Sequence, residues 1–379
     1  MKIVINATAA VAGGSITYLL NLLPPLAELD RENDYILLLP ERIRDEIAFE
    51  LPDNFRLRYI SFARPQSLWR LVWEQTVLPL FLHWARMDLL YAPMDIAPIF
   101  APCPVVLAVR NPNPYYEIVF SNNPKLKFVF QKLLTRLSAR RARKVVFVSE
   151  YARDTIAPKL GVPKDNCAVV YHGLNHEMFD PDREFGDIPL EFREKIDELE
   201  SYLLCVSTVY PHKNYDTLLR AWSLLPEDFR ERNQLVVAGT LIDEKYADRL
   251  FRLAAELGIT DQIDFLGRVP YRLVPYLYAN ASAFVFPSYL ETFGHPLVEA
   301  MAMGVPIVAS TGTCIPEIVC DAASLFDPQN PQELASKVEQ VMGDQAWRRT
   351  LIDRGKRRAS DFSWRIAAKK TLQIFKSIA

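Results

Sequence analysis

With 379 residues, 50% of them hydrophobic and 24% charged, the chain has the balance of a globular protein of two or three domains, long enough to bury sizeable cores without staples. A net charge of −2, from 44 basic and 46 acidic residues, excludes a molecule built as a whole to hold nucleic acid. The five scattered cysteines, Cys103, Cys167, Cys205, Cys314 and Cys320, contain no C-x-x-C, which argues against a disulfide framework or a zinc ribbon and fits a reducing cytoplasm.

The first apolar run, 2–6, reads as a buried strand and not as a signal peptide, because small and polar residues follow it at once. No stretch of about 18 apolar residues is present, so no membrane span is expected. Gly13-Gly14 opens a helical pattern over 15–29; it is not G-x-G-x-x-G, so as a dinucleotide signal it is weak and a plain tight turn explains it equally well. Strands follow at 35–39, 89–91, 105–109 and 144–148, with helical patterns around 68–85 and 125–142. Continuous apolar strands separated by helices predict a parallel sheet covered on both faces.

Between Ile118 and Ser149 there is no acid, while Lys125, Lys127, Lys132, Arg136, Arg140, Arg141, Arg143 and Lys144 all fall there. Leu126, Phe130, Leu133, Leu134 and Leu137 form an apolar face at helical spacing, beside a stripe of Lys132, Arg136 and Arg140. Either the helix rests on anionic lipid or attracts a lipid-diphosphate acceptor, or it is a solvated helix covering the first sheet. Trp69, Trp73 and Trp84 either add to a membrane-leaning surface or belong to the core.

The pattern breaks at 180–188, where prolines, charges and a glycine gather, and a charged helical stretch follows, so a linker is expected over 181–200. Asp180-Pro181-Asp182 matches the D-x-D of metal-dependent sugar transferases, but in a linker it reads as chance. A second alternation then begins, with strands at 202–207, 235–238, 263–265, 283–286, 307–309 and 323–326. The last segment, 364–378, is an amphipathic helix. The expectation is α/β: two doubly wound Rossmann-like domains, 1–180 and 201–360, facing a cleft, followed by a terminal segment 361–379. Such sheets bind ligands at the carboxyl ends of their strands.

The run PSYLETFGHPLVEAMAMGVPIVAS, from Pro287 to Ser310, carries the chemistry. A strand ends at Pro287, a loop brings Glu291, Thr292, Phe293 and Gly294, and Pro296 suits the first turn of a helix that stops near Gly304. Free amides at that helix start suit a diphosphate. Carboxylates at Glu291 and Glu299 can each accept hydrogen bonds from vicinal hydroxyls, as a sugar and a ribose offer. A second run, VSTVYPHKN from Val206 to Asn214, puts Lys213 in the loop after a strand, where a fixed cation stabilises a leaving phosphate.

The first run resembles the signature of family-4 retaining glycosyltransferases of the GT-B fold, with its two glutamates eight apart; the second is similar to the family's G-T-x-x-P-R-K-N. The resemblance implies that Glu291 contacts the transferred sugar, Glu299 the ribose, and the backbone of Phe293, Gly294, His295 and Pro296 the phosphates. It assigns catalysis to Lys213 and places Ser207, Thr208, His212, Gly239, Arg268 and Val269 at the donor, with Arg268 a candidate second phosphate cation. It puts Gly13 and Gly14 near the donor phosphates and the acceptor, and the terminal helix back on the N-terminal domain. Many relatives carry a catalytic histidine where VVLAVRNPNPYY has Arg110-Asn111. Arg110 can stabilise charge but stays protonated, and Asn111 can bond a sugar hydroxyl; His172 reads as structural. The resemblance implies a cytoplasmic hexosyltransferase of surface-polysaccharide assembly, using GDP-mannose or a UDP-sugar and a glycan or lipid-linked acceptor, with no metal and no cofactor. A sugar-nucleotide epimerase on the same fold, or a non-catalytic nucleotide-sugar-binding protein, is the alternative.

Overall fold

The structure, a computed structural model, describes residues 1–10, 14–47, 49–62, 68–111, 115, 125–186 and 188–378, and of residues 125–128 the backbone alone. The chain forms two compact units: Met1–Gly173 together with Ser363–Ala379, and Leu174–Phe362.

The first unit is built on a parallel sheet of β1 (Lys2–Asn6), β2 (Asp34–Pro40), β3 (Phe55–Ile60), β4 (Leu89–Ala92), β5 (Val105–Val109), β6 (Lys144–Phe147) and β7 (Cys167–Val169), in the order β3-β2-β1-β4-β5-β6-β7. β1, β4 and β5 are buried along nearly their whole length, as continuous apolar strands between two helical layers must be. The sequence pattern did not predict β3. Its FRLRYI alternates apolar and basic residues, because an edge strand keeps one face wet, and it pairs in register with β2 from Tyr35↔Phe55 to Pro40↔Ile60. The final helix, Trp364–Lys376, lies in this unit and buries Trp364, Ala367, Ala368, Leu372 and Phe375 in the core formed with the helix Gly14–Leu29.

The second unit holds β8 (Tyr202–Val206), β9 (Gln234–Ala238), β10 (Ile263–Gly267), β11 (Ala283–Phe286), β12 (Ile307–Ser310) and β13 (Ala323–Phe326), parallel and in the order β10-β9-β8-β11-β12-β13. The two sheets are Rossmann-like: each begins at a central strand, winds outward one way, then returns to the centre and winds the other way. The strand order therefore reverses between β1 and β4, and again between β8 and β11.

The linker expected over 181–200 is not one, and the first unit ends at 173 instead of 180. Its prolines and charges imitate a solvated tether, but its few apolar residues dock: Ile196 of the helix Leu190–Asp197 is buried, and Phe185 and Phe192 set their rings 5.4 and 6.5 Å from that of Tyr276. An ion pair between Lys195 and Asp264 at 2.9 Å and a hydrogen bond from the Tyr276 hydroxyl to Asp197 fix the charged side.

The basic helix, Lys125–Arg141, turns small residues inward. Thr135, Ser138 and Ala139 are buried, while Phe130, Leu133 and Leu137 are exposed, so the apolar face read from the sequence does not cover the sheet. Trp69 and Trp84 of the helix Leu68–Trp84 are 75% and 83% exposed, which excludes them from the core.

Candidate functional site

In a sheet wound both ways from its centre, the loops leaving the two central strands diverge and open a crevice at the carboxyl ends. In the second unit those strands are β8 and β11, which pair in parallel. The loops that leave them are 207–214 and 287–294, the two runs singled out in the sequence.

Lys213 ends a tight turn, Pro211–Lys213, and Asn214 follows in the left-handed region at φ 61°. The Asn214 side chain does not cap the helix Tyr215–Leu224 that it precedes. Its amide instead donates to the Pro287 carbonyl at 3.0 Å and the Pro328 carbonyl at 2.8 Å, which clamps the loop to the ends of β11 and β13. The Tyr289 amide donates to the His212 carbonyl at 2.9 Å, so the two loops are stitched together. Lys213 Nζ thereby reaches Glu291 Oε1 at 2.5 Å, with only 15% and 13% of the two side chains exposed. The Glu291 amide donates to Thr313 Oγ1 at 2.9 Å, which holds the backbone beneath the carboxylate. Beside this pair, burial and the Lys213 charge lower the His212 imidazole to about 4, so it is neutral at physiological pH and adds no charge to the loop.

Glycine is required at two of the named positions. A Cβ on Gly239 would stand 1.7 Å from the Ser207 carbonyl oxygen, so the chain leaving β9 presses directly on the loop that carries Lys213. Gly294 has φ 83°, and this left-handed residue starts the helix His295–Ala302. Pro296, without an N–H, occupies the first turn, where the missing donor costs no helical bond. The Phe293 ring is buried against His295 and Phe362 at 5.1 and 5.5 Å, which leaves its backbone as the part able to meet a ligand.

Glu299 is buried, and two tyrosines hold it. The Tyr271 hydroxyl donates to Oε1 at 2.8 Å and the Tyr278 hydroxyl to Oε2 at 3.1 Å. Burial raises its carboxyl to about 7, against the pull of both tyrosine bonds. Neither tyrosine was singled out in the sequence. They sit in the segment after β10, a different strand–helix step, and nothing in VPYRLVPYLY marks them as partners of an acid further along the chain. Arg268 is exposed and Val269 half-buried at the end of β10, the edge strand two places from β8. Ser207 bonds the Tyr215 hydroxyl at 2.9 Å, and Thr208 is exposed.

The remaining candidates belong to the first unit. Gly13 lies outside the described residues, and Gly14 begins the helix Gly14–Leu29. The Arg110 and Asn111 amides both donate to Asp95 Oδ1, at 2.7 and 3.1 Å, and the Arg110 guanidinium lies 3.1 Å from the centre of the Tyr18 ring. The Tyr18 and Tyr91 hydroxyls meet at 2.6 Å, and His172 packs against the Tyr18 and Trp364 rings, which also touch each other. Among the described residues no group of three or more His, Cys, Asp or Glu side chains is arranged to hold a metal.

Residues 12–178 match the model of Glycosyltransferase Family 4, and residues 188–358 that of Glycosyl transferases group 1. The chain is 31% identical over 254 residues to O-antigen chain mannosyltransferase B of Escherichia coli, covering 67% of this chain and 66% of that protein. It is 27% identical over 213 residues to O-antigen chain mannosyltransferase RfbU of Salmonella typhimurium, covering 56% and 55%. The alignments thus span less than two thirds of these relatives' lengths. The fold matches that of Anabaena Alr3699/HepE in complex with UDP and glucose, at a TM-score of 0.77 and 20% identity over the whole of both chains, and that of WaaG, a glycosyltransferase involved in lipopolysaccharide biosynthesis, at 0.72 and 15% over 99% of both. Both are GT-B structures. With one model matched by each half, the chain belongs to the GT-B glycosyltransferases that join a family 4 N-terminal domain to a group 1 C-terminal domain.

Proposed function

We propose that the protein is a retaining hexosyltransferase that moves a sugar from a nucleoside diphosphate onto a glycan or lipid-linked acceptor in surface-polysaccharide synthesis. The observation that carries this reading is the sequestered Lys213–Glu291 ion pair at the reversal point of the second sheet. Each partner is suited to one half of a nucleotide sugar. In the ligand-free protein they satisfy each other. A donor diphosphate draws Lys213 to its oxygens, and the freed Glu291 carboxylate accepts hydrogen bonds from sugar hydroxyls. Amides at the start of His295–Ala302 bond the diphosphate, and Glu299 exchanges its tyrosine bonds for ribose hydroxyls.

In the transfer, the bond from the anomeric carbon to the diphosphate breaks and a bond to the acceptor oxygen forms on the same face. The acceptor's proton passes to the leaving phosphate, which spares the protein a dedicated base where Arg110 stands. Lys213 and the helix amides stabilise the charge on that phosphate, so turnover survives EDTA. The O-antigen mannosyltransferases among the relatives support GDP-mannose as donor; the Anabaena complexes with UDP and UDP-glucose support a UDP-sugar. The acceptor is gathered by the first unit near Arg110 and Asn111, at the cytoplasmic face of a membrane on which the basic helix rests.

A thermal-shift series with GDP-mannose, UDP-glucose and other nucleotide sugars, followed by turnover with the stabilising donor, tests this. The expected outcome is one donor that raises the melting temperature, consumed only with acceptor and giving a product of unchanged anomeric configuration by NMR. Free nucleotide with an epimerised sugar, formed without acceptor, would identify the epimerase instead. Tight donor binding without turnover would identify a binding protein.

A further inference from the structure

The helix Leu68–Trp84 is apolar on both sides. Leu78 and Leu82 are buried in the core beneath it. On the opposite side Trp69, Val72, Val77, Leu80 and Trp84 are exposed by 75, 42, 46, 59 and 83%. At 3.6 residues per turn these five fall within about 140° of arc. Exposed Thr76 and His83 are the polar residues within that arc; the rest is a contiguous apolar surface of the kind built to be covered.

The basic helix Lys125–Arg141 continues that face. Val129, Phe130, Leu133 and Leu137 are exposed among Lys132, Arg136, Arg140 and Arg141, which are exposed too. Both helices lie on the same side of the first sheet, since Leu78, Leu82, Ala139 and Ala142 share one core. The loop after β4 ties them together. Gln75 takes the Ile99 amide at 3.0 Å and gives its own to the Ala97 carbonyl at 3.2 Å, while Ser138 bonds the same carbonyl at 2.8 Å. Phe100, 75% exposed, stands on this tie.

We infer that the two helices and Phe100 form one membrane-docking face, in which tryptophans and leucines of Leu68–Trp84 enter the interface of an anionic bilayer while Lys132, Arg136, Arg140 and Arg141 bind its headgroups. The charge pattern selects lipid as the occupant. The only acid on Leu68–Trp84 is Glu74, which is buried and paired with Arg70 at 2.6 Å, and none lies between Ile118 and Ser149. A second copy would oppose one cationic face to another, and indole rings beside basic groups suit the boundary between headgroups and acyl chains. This deepens the membrane part of the proposed function, and it adds a second apolar anchor, with both indoles, beside the basic helix.

The test is co-sedimentation of the full chain with vesicles of phosphatidylcholine alone and with a third phosphatidylglycerol. Wild type should bind the anionic vesicles at least tenfold more tightly, and less so as salt rises. Leu80→Glu/Trp84→Glu and Lys132→Glu/Arg136→Glu should each weaken that binding at least tenfold while melting as wild type does. Equal binding to both vesicle types, or undiminished binding by the Leu80→Glu/Trp84→Glu variant, would overturn the inference. So would self-association in analytical ultracentrifugation that the same variant abolishes in a chain indifferent to vesicles. A protein that binds anionic vesicles but turns over no nucleotide sugar would refute the proposed transfer and leave the docking face standing.

Discussion

At the scale of single residues, Glu299 is an acid in an unusual state. Its carboxyl titrates at about 7 because burial disfavours the charge by more than the two tyrosine hydroxyls favour it. The folded value is raised above the ordinary 4.5, so the group's contribution to stability is full at acid pH and is lost as pH rises towards 7. A carboxylate that accepts ribose hydroxyls must be ionised, so nucleotide binding runs the other way. Affinity for the donor nucleotide sugar, whose diphosphate has no group titrating in this range, should tighten up to about tenfold between pH 6 and pH 8, measured calorimetrically. The tightening should vanish in Glu299→Gln, and Tyr271→Phe should displace it to higher pH. His212 titrates at about 4 and does not disturb this window. A flat profile in wild type would remove Glu299 from the ribose.

At the scale of elements, the loop after β8 is held by backbone bonds to its neighbours and by the side chain of Asn214. Asn214 donates to two carbonyls on two other loops; in Asn214→Ala the Pro287 carbonyl loses its donor, while Pro328 keeps the Thr217 hydroxyl at 3.1 Å. One buried carbonyl left unpaired and a second bond lost should cost about 1 kcal/mol or more in chemical denaturation. The variant should also lose turnover, because Lys213 is the next residue. Stability within about 0.5 kcal/mol of wild type would show that the clamp does not hold the loop. The sequence displayed the elements of this region but not their union. The strands 283–286 and 307–309 and the helix start at Pro296 are written in local patterns of apolar runs, proline and glycine. That Asn214 faces Pro287 and Pro328, or Tyr271 faces Glu299, depends on which strands neighbour one another, and no local pattern records that. Edge strand β3 and the docked segment around Leu190–Asp197 were obscured for a related reason: half-wet structure carries charges at the positions where a covered strand or helix would be apolar.

At the scale of the whole molecule, two sheets wound in the same sense bring different chemistry to their reversal points. The second gathers a cation, two acids and a helix start, and pairs Lys213 with Glu291 from 78 positions away. Family membership and fold were legible because the motif residues sit where such a sheet must bind ligands. The outward turn of Trp69, Trp84 and Leu133 was not, since periodicity identifies a face without saying which way it looks. What the assignment requires most directly is that Lys213 leave Glu291 for a diphosphate. Calorimetric titration of GDP and UDP into wild type, Lys213→Ala, Glu291→Gln and the double variant measures this as a closed cycle. Lys213→Ala, with a bare carboxylate left beside the phosphates, should bind at least tenfold more weakly, and Glu291→Gln in the same chain should restore part of that loss. Nucleotide affinities unchanged by Lys213→Ala would contradict the account.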